Sequence, residues 1–122
     1  MAQSINIPNV EHTAPIPMGA RVGNMVFSSG IMGANPQTGE IPDDPAQQAE
    51  FAFQNLRTFL QLAGVTPDHV GHVTVYVKDN KYREFINKPW TELYPDPEKR
   101  PRSEEHTSEL QSLAYLVCRL LL

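Results

Sequence analysis

Cysteine and clustered positive charge are both scarce in this chain. Cys118 is the single cysteine among 122 residues, so no internal disulfide framework is possible and a reducing compartment is favoured. The formal net charge is −4, from 10 basic and 14 acidic residues, and no segment is a basic stripe. Because nucleic-acid binding depends on Lys and Arg placed against phosphates, we do not expect a nucleic-acid partner.

Long apolar runs and a secretory leader are also missing from the sequence. No apolar run approaches the roughly 20 residues that a membrane span requires. Residues 1–7 lack the basic and apolar regions of a signal peptide. With 40% hydrophobic and 20% charged residues, the composition is that of an ordinary globular domain. We therefore expect one cytoplasmic domain that has no contact with a membrane.

Two short strands and a tight turn are predicted in the first third of the chain. Prolines break up residues 1–19, which we expect to be irregular. Ala20–Val22 and Met25–Ser29 have strand composition, and Gly23-Asn24 supplies the residues that a hairpin turn needs between them. From Ile31 to Pro42 the turn residues predict a loop.

The clearest element is a helix over residues 45–63. Asp44 is a suitable N-cap, Pro45 suits the first helical position and Gly64 suits the residue after the end. Apolar residues recur in steps of three and four, which is the period of one buried helix face. They are Ala46, Ala49, Phe53, Leu56, Leu60 and Ala63.

A strand and a second helix follow. Val73, Val75 and Val77 alternate with polar or aromatic neighbours, which predicts a strand with one face in the core. Apolar residues at helical spacing continue to Leu93, and Pro89 within them predicts a kink or a restart. The order β-β-α-β-α predicts an α+β domain whose helices and strands share one sheet.

The residues after Pro101 do not continue this pattern. Residues 102–122 resemble the translation of a short-read sequencing-library adapter, with two constant parts flanking a short index. Such segments are excluded from fold reasoning. We therefore divide the chain into a domain of residues 1–101 and a non-native tail of residues 102–122. On this interpretation the C-terminal strands of the domain are missing.

Several motifs together resemble the RidA/YjgF family of reactive-intermediate deaminases. They are Gly23–Gly30, Asn35–Glu40, Gln47–Gly64, Val73–Asp79 and Phe85–Asn87, and the resemblance covers about residues 11–101. It implies a chorismate-mutase-like fold, with a curved mixed sheet and two helices on one face. It also implies a homotrimer with active sites in the clefts between subunits. The implied reaction is the hydrolysis of 2-enamino or 2-imino acids to 2-oxo acids and ammonia, without a metal or an organic cofactor.

The resemblance also assigns site residues. Ser29 and Gly30 match a strand end that contacts the substrate, and Asn87 matches a polar residue of the cleft, although a solvated helix residue is an equal alternative there. The family's carboxylate-binding Arg would fall at position 103, where this chain has Ser103, while Arg102 comes one residue early. The family's downstream Glu is missing as well. The catalytic residues therefore stay unassigned, no metal site is expected, and we expect the chain as written to be impaired.

A second function stays open beside the deaminase. A member of the same fold could bind a small metabolite or a protein without catalysing a reaction. Two departures from the family pattern keep this alternative in place: Ile16 stands where many members carry a Tyr, and the native residue that follows Pro101 is unknown.

Overall fold

The structure is a computed structural model that describes residues 2–10, 15–77, 80–107 and 114–121. Within these ranges the chain forms seven strands, two α-helices and three short 3₁₀ helices. The strands are β1 (Gln3–Ile5), β2 (Gly19–Val22), β3 (Met25–Ser28), β4 (Ile31–Met32), β5 (Val70–Val77), β6 (Arg102–Thr107) and β7 (Ala114–Leu121). The helices are α1 (Pro45–Ala63) and α2 (Arg83–Leu93), and the 3₁₀ helices are Pro67–His69, Asn80–Tyr82 and Pro97–Lys99.

All seven strands belong to one mixed sheet. Its order is β1-β2-β3-β7-β5-β6, and β4 also pairs with β7. β5 and β6 run parallel, whereas every other pair is antiparallel. The predicted α+β class, with a mixed sheet and two helices, is therefore confirmed.

The expectation that the C-terminal strands are missing is wrong for this chain. Residues 102–107 pair in parallel with β5, and residues 114–121 form the strand between β3 and β5. The physical reason is that a ladder is built from backbone N–H and C=O groups, which every non-proline residue offers. Both edges of β5 thereby gain partners. That residues 102–122 are a non-native sequence stays a prediction, because strand pairing does not test the origin of a sequence.

The bounds of α1 agree with the prediction from the sequence. The Asp44 side chain accepts a hydrogen bond from the backbone N–H of Ala46 at 3.2 Å, and Pro45 opens the helix. Gly64 ends it in the left-handed conformation, with φ 75°. The N–H of Gly64 donates to the carbonyl of Gln61, so the last turn of the helix is closed.

The hydrophobic core lies between the sheet and the helices. On β5, Val73, Val75 and Val77 are fully buried, whereas the residues between them are only partly buried. The ring of Phe53 on α1 meets the ring of Trp90 on α2 edge to face, with centroids 6.4 Å apart. This contact joins the two helices on the same side of the sheet.

Three local predictions differ from the structure. The segment predicted as irregular contains β1, which pairs with β2, and the segment predicted as a loop contains β4, which pairs with β7. Both strands are short and depend on a distant partner, so neither has a local pattern. α2 contains the buried Pro89 without interruption, so the helix does not restart there; the predicted kink stays a prediction.

The other face of the sheet carries exposed apolar side chains. Val26 is fully buried on the side of the helices, so its neighbours on β3 face the other way. Met25 and Phe27 are 41% and 38% exposed, and Val22, which pairs with Met25, is 49% exposed. These three residues form what we call the open apolar face.

Candidate functional site

Ser29 and Gly30 lie where β3 passes into β4. The backbone N–H of Ser29 donates to the carbonyl of Met18 at 2.7 Å, and its hydroxyl donates to the carbonyl of Pro17 at 2.9 Å. Both residues are half-buried. The hydroxyl is thus hydrogen-bonded to a backbone carbonyl. The two hydrogen bonds of Ser29 fix the strand end that is predicted to contact the substrate.

The chain beyond Gly30 is held by two buried amide side chains of α1 that the sequence analysis did not identify. Asn55 Nδ2 donates to the carbonyls of Met32 and Ala34, at 3.0 and 2.9 Å. Gln48 Nε2 donates to the carbonyl of Pro42 at 2.6 Å. The available signal was the position of Asn55, three residues after Ala52 and four before Phe59, which places it on the buried face of the helix.

Asn87 occupies an exposed position on α2. Its backbone carbonyl accepts a hydrogen bond from the Thr91 hydroxyl at 3.0 Å. Ser29, Gly30 and Asn87 do not line the three surface clefts described below, which are formed by residues that the structure describes. A single chain therefore does not gather the predicted substrate-binding residues into any of these clefts.

The first cleft has a volume of about 440 Å³ and lies where β5 and β6 begin. Its charged lining consists of Asp68, Glu98, Lys99, Arg100 and Arg102. Nε of Arg100 donates to the carbonyl of Tyr94 at 3.0 Å, which fixes the plane of its guanidinium group. Three basic and two acidic side chains line this cleft, so the basic side chains outnumber the acidic ones by one.

The pairing register of β6 determines on which face of the sheet positions 102 and 103 lie. Arg102 pairs with His72 and Ser103 pairs with Val73 in the parallel ladder. Neighbouring residues of a strand point to opposite faces, so an arginine at 102 does not occupy the face of position 103. The exposed Arg102 side chain lines the first cleft instead.

The other two clefts lie beside α1. One, of about 400 Å³, is lined by residues of β1, Arg21 and the end of α1 at Leu62–Gly64. The other, of about 300 Å³, lies between α1 and α2. Neither holds a predicted site residue.

Grouped metal ligands and a helix able to span a membrane are both missing from the described ranges of the chain. Among the residues that the structure describes, no three His, Cys, Asp or Glu side chains are grouped so as to hold a metal ion. No helix in these ranges is both long enough and apolar enough to cross a bilayer.

The fold and the sequence motifs define an α+β domain with two helices covering one face of a mixed sheet. The family model described as Endoribonuclease L-PSP matches residues 10–114. The chain belongs to this family, and the predicted RidA/YjgF membership is confirmed.

A similar curated protein is the 2-iminobutanoate/2-iminopropanoate deaminase of Escherichia coli (strain K12). It is 38% identical over 82 residues, which are 67% of this chain and 64% of that protein. The chain thus aligns with just under two thirds of the length of this relative.

Solved structures of the family share the whole fold. The crystal structure of Escherichia coli TdcF with bound serine superposes with a TM-score of 0.86 at 23% identity, covering 99% of this chain and 98% of that one. RidA from the Antarctic bacterium Psychrobacter sp. PAMC 21119 gives a TM-score of 0.85 at 22% identity, covering 98% and 97%. Both matches extend over nearly the whole chain, so this chain shares the fold of these structures.

Proposed function

We propose that the parent protein hydrolyses reactive 2-imino and 2-enamino acids to 2-oxo acids and ammonia in the cytoplasm, without a metal or cofactor. The observation that carries this proposal is the 38% identity to a 2-iminobutanoate/2-iminopropanoate deaminase. The anchored Ser29–Gly30 segment supports it, because such a segment can offer a backbone contact at a fixed position.

The proposed reaction makes modest demands on the protein. Water adds to the electrophilic imine carbon: its oxygen bonds to carbon and one of its protons goes to nitrogen, giving a 2-amino-2-hydroxy acid. The hydroxyl proton then passes to nitrogen as the carbon–nitrogen bond breaks, which leaves the 2-oxo acid and ammonia. The protein has to bind the substrate carboxylate, present the imine carbon and exclude competing orientations. Ser29, Gly30 and Asn87 are the residues that we propose for substrate contact, and the catalytic residues remain unassigned.

We propose that the site is completed by a second copy of the chain in a homotrimer. Ser29 follows β3 and Asn87 lies at an exposed position of α2, and a neighbouring subunit would add the further surface that a cleft using both residues requires. The open apolar face supplies a surface for association, since contiguous exposed apolar side chains commonly mark an interface.

A non-catalytic binding protein of the same fold is the second candidate function. The observation that favours it is Ser103 at the position of the carboxylate-binding arginine. Action on RNA, which the description of the family model would suggest, is not favoured by a chain of net charge −4.

We propose further that residues 102–122 replace the native C-terminal sequence and impair activity. The support is the resemblance of this tail to a translated adapter. Sequencing the uninterrupted coding region beyond the codon for Pro101 tests it directly. A native reading frame that continues with Arg102–Leu122 would contradict the proposal.

The activity itself is tested with an imine that is generated in place. An amino-acid oxidase acting on alanine supplies 2-iminopropanoate, and ammonia release is compared with the rate in buffer. The matched pair is the present chain and its Ser103→Arg variant. We expect acceleration that is greater in the variant. If neither this pair nor the parent protein accelerates ammonia release, the deaminase proposal fails. Tight binding of 2-oxobutanoate by a protein that does not hydrolyse the imine would instead favour the non-catalytic binding protein.

A further inference from the structure

The backbone from Ser29 to Ala34 is held at both of its ends. At the first end, Ser29 donates two hydrogen bonds to Pro17 and Met18. At the other end, one amide group of Asn55 bridges the carbonyls of Met32 and Ala34. The segment that contains Gly30 is thus fixed by groups from two other parts of the chain.

The contact between this segment and α1 leaves almost no free space. Gly33 lies directly against the helix backbone, and a Cβ atom there would overlap the carbonyl oxygen of Gln48. Gln48 also donates to Pro42 further along the same connection. Because the glycine lets the two backbones approach so closely, the carbonyls on either side of it are brought within reach of Asn55.

Asn55 makes these bonds at an energetic cost. The side chain is completely buried, and its Oδ1 atom accepts no hydrogen bond from any residue that the structure describes. A buried amide oxygen without a donor is unfavourable. An apolar residue would avoid that cost, yet it would leave the carbonyls of Met32 and Ala34 without the donor that now serves both.

We propose that Asn55 is a positioning residue for the substrate-binding segment Ser29–Gly30. This inference rests on the proposed function of that segment. Asn55 touches no substrate; it acts through Met32 and Ala34 by fixing the backbone that follows Gly30. When this anchor is lost, the segment samples more conformations and binds a substrate carboxylate or imine less well.

The test compares Asn55→Ala with Leu60→Ala, a buried substitution on the same helix, five positions further along it. Asn55→Ser, which keeps a donor, is the milder second variant if the alanine variant does not fold. Hydrogen exchange of amides 30–34 is measured relative to that of β5 in the same sample. KM and kcat are measured with 2-iminopropanoate generated from alanine.

For Asn55→Ala we expect the relative exchange of amides 30–34 to rise by at least about fivefold, since each of the two lost hydrogen bonds is worth about that factor. KM should rise by about the same factor while kcat changes less, since the loss affects binding. Leu60→Ala should lower the unfolding temperature. It should change neither the exchange of amides 30–34 relative to β5 nor KM.

Unchanged exchange of amides 30–34 in the Asn55 variants would overturn the inference, and so would an equal change in Leu60→Ala. Faster exchange with an unchanged KM would also overturn it, because the segment would then be loosened without consequence for the substrate. If the parent protein shows no turnover, the proposed function fails separately, and exchange alone decides whether Asn55 fixes the segment.

Discussion

The guanidinium group of Arg21 on β2 donates a hydrogen bond to the backbone carbonyl of Ala63, the last residue of α1. The two residues are 42 positions apart in the sequence. The carbonyl groups at the end of a helix lack intrahelical donors and carry partial negative charge. A cation from the sheet therefore both caps α1 and ties it to β2.

Removing this cap should destabilise the domain. We expect Arg21→Ala to lower the free energy of unfolding by about 1–2 kcal/mol, because a partly buried hydrogen bond from a charged group is lost. Arg57→Ala is the matched control, since Arg57 is an exposed arginine of the same helix. Urea unfolding of both variants measures the difference. If the two variants lost the same free energy of unfolding, Arg21 would stabilise the domain through its charge alone and not through the hydrogen bond to Ala63.

The left-handed residue at the end of α1 should resist substitution. Gly64 has φ 75°, a conformation that costs a residue with a Cβ atom roughly 1 kcal/mol. We expect Gly64→Ala to lower the unfolding free energy by about that amount. Gln61→Ala, at an exposed position of the last turn, should change it by less than about 0.5 kcal/mol. A stabilised Gly64→Ala variant would contradict the assigned cap geometry.

The open apolar face should control the assembly of the chain. If it forms the proposed homotrimer interface, Phe27→Asp places a charge in that interface and shifts the protein towards monomer. Leu62→Asp is the control, because Leu62 is 51% exposed and belongs to the end of α1 rather than to the sheet. Light scattering after size exclusion gives the mass of each variant. A monomeric parent protein, or a trimer that persists in Phe27→Asp, would place any interface elsewhere.

Asn87 should contribute to substrate affinity if the proposed site is correct. We expect Asn87→Ala to raise KM by about fivefold through the loss of one hydrogen bond, with unfolding unchanged because the residue is exposed. Lys88→Ala is the neighbouring control, since the ion pair of the Lys88 side chain with Glu50, at 3.7 Å, joins two exposed side chains and contributes little to stability. If the Asn87 variant had the wild-type KM, Asn87 would be a solvated helix residue that does not contact the substrate.

Activity should survive the removal of metal ions. The proposed hydrolysis uses water, a positioned imine and polar contacts, so treatment with a chelator is expected to leave kcat unchanged. The measurement is ammonia release before and after dialysis against EDTA. Activity that falls in EDTA and returns with an added divalent ion would contradict the proposed cofactor-free reaction.

The sequence by itself determined the elements whose signals are local. The bounds of α1 follow from Asp44, Pro45, Gly64 and the spacing of apolar residues, since caps and helical periodicity act within a few positions. The β2–β3 hairpin follows in the same way from Gly23, whose φ of 59° is the conformation that its turn requires.

Only the tertiary structure decided the pairings between distant residues. β1 and β4 are strands because β2 and β7 offer them backbone partners, and residues 114–121 enter the middle of the sheet for the same reason. Asn55 shows the same dependence at the candidate site. Its identity as a polar residue was visible, yet its role depends on Met32 and Ala34, which folding brings to it from more than 20 positions away. Hydrogen bonds of this kind require two groups to meet in space, and the pattern around either one does not specify the other.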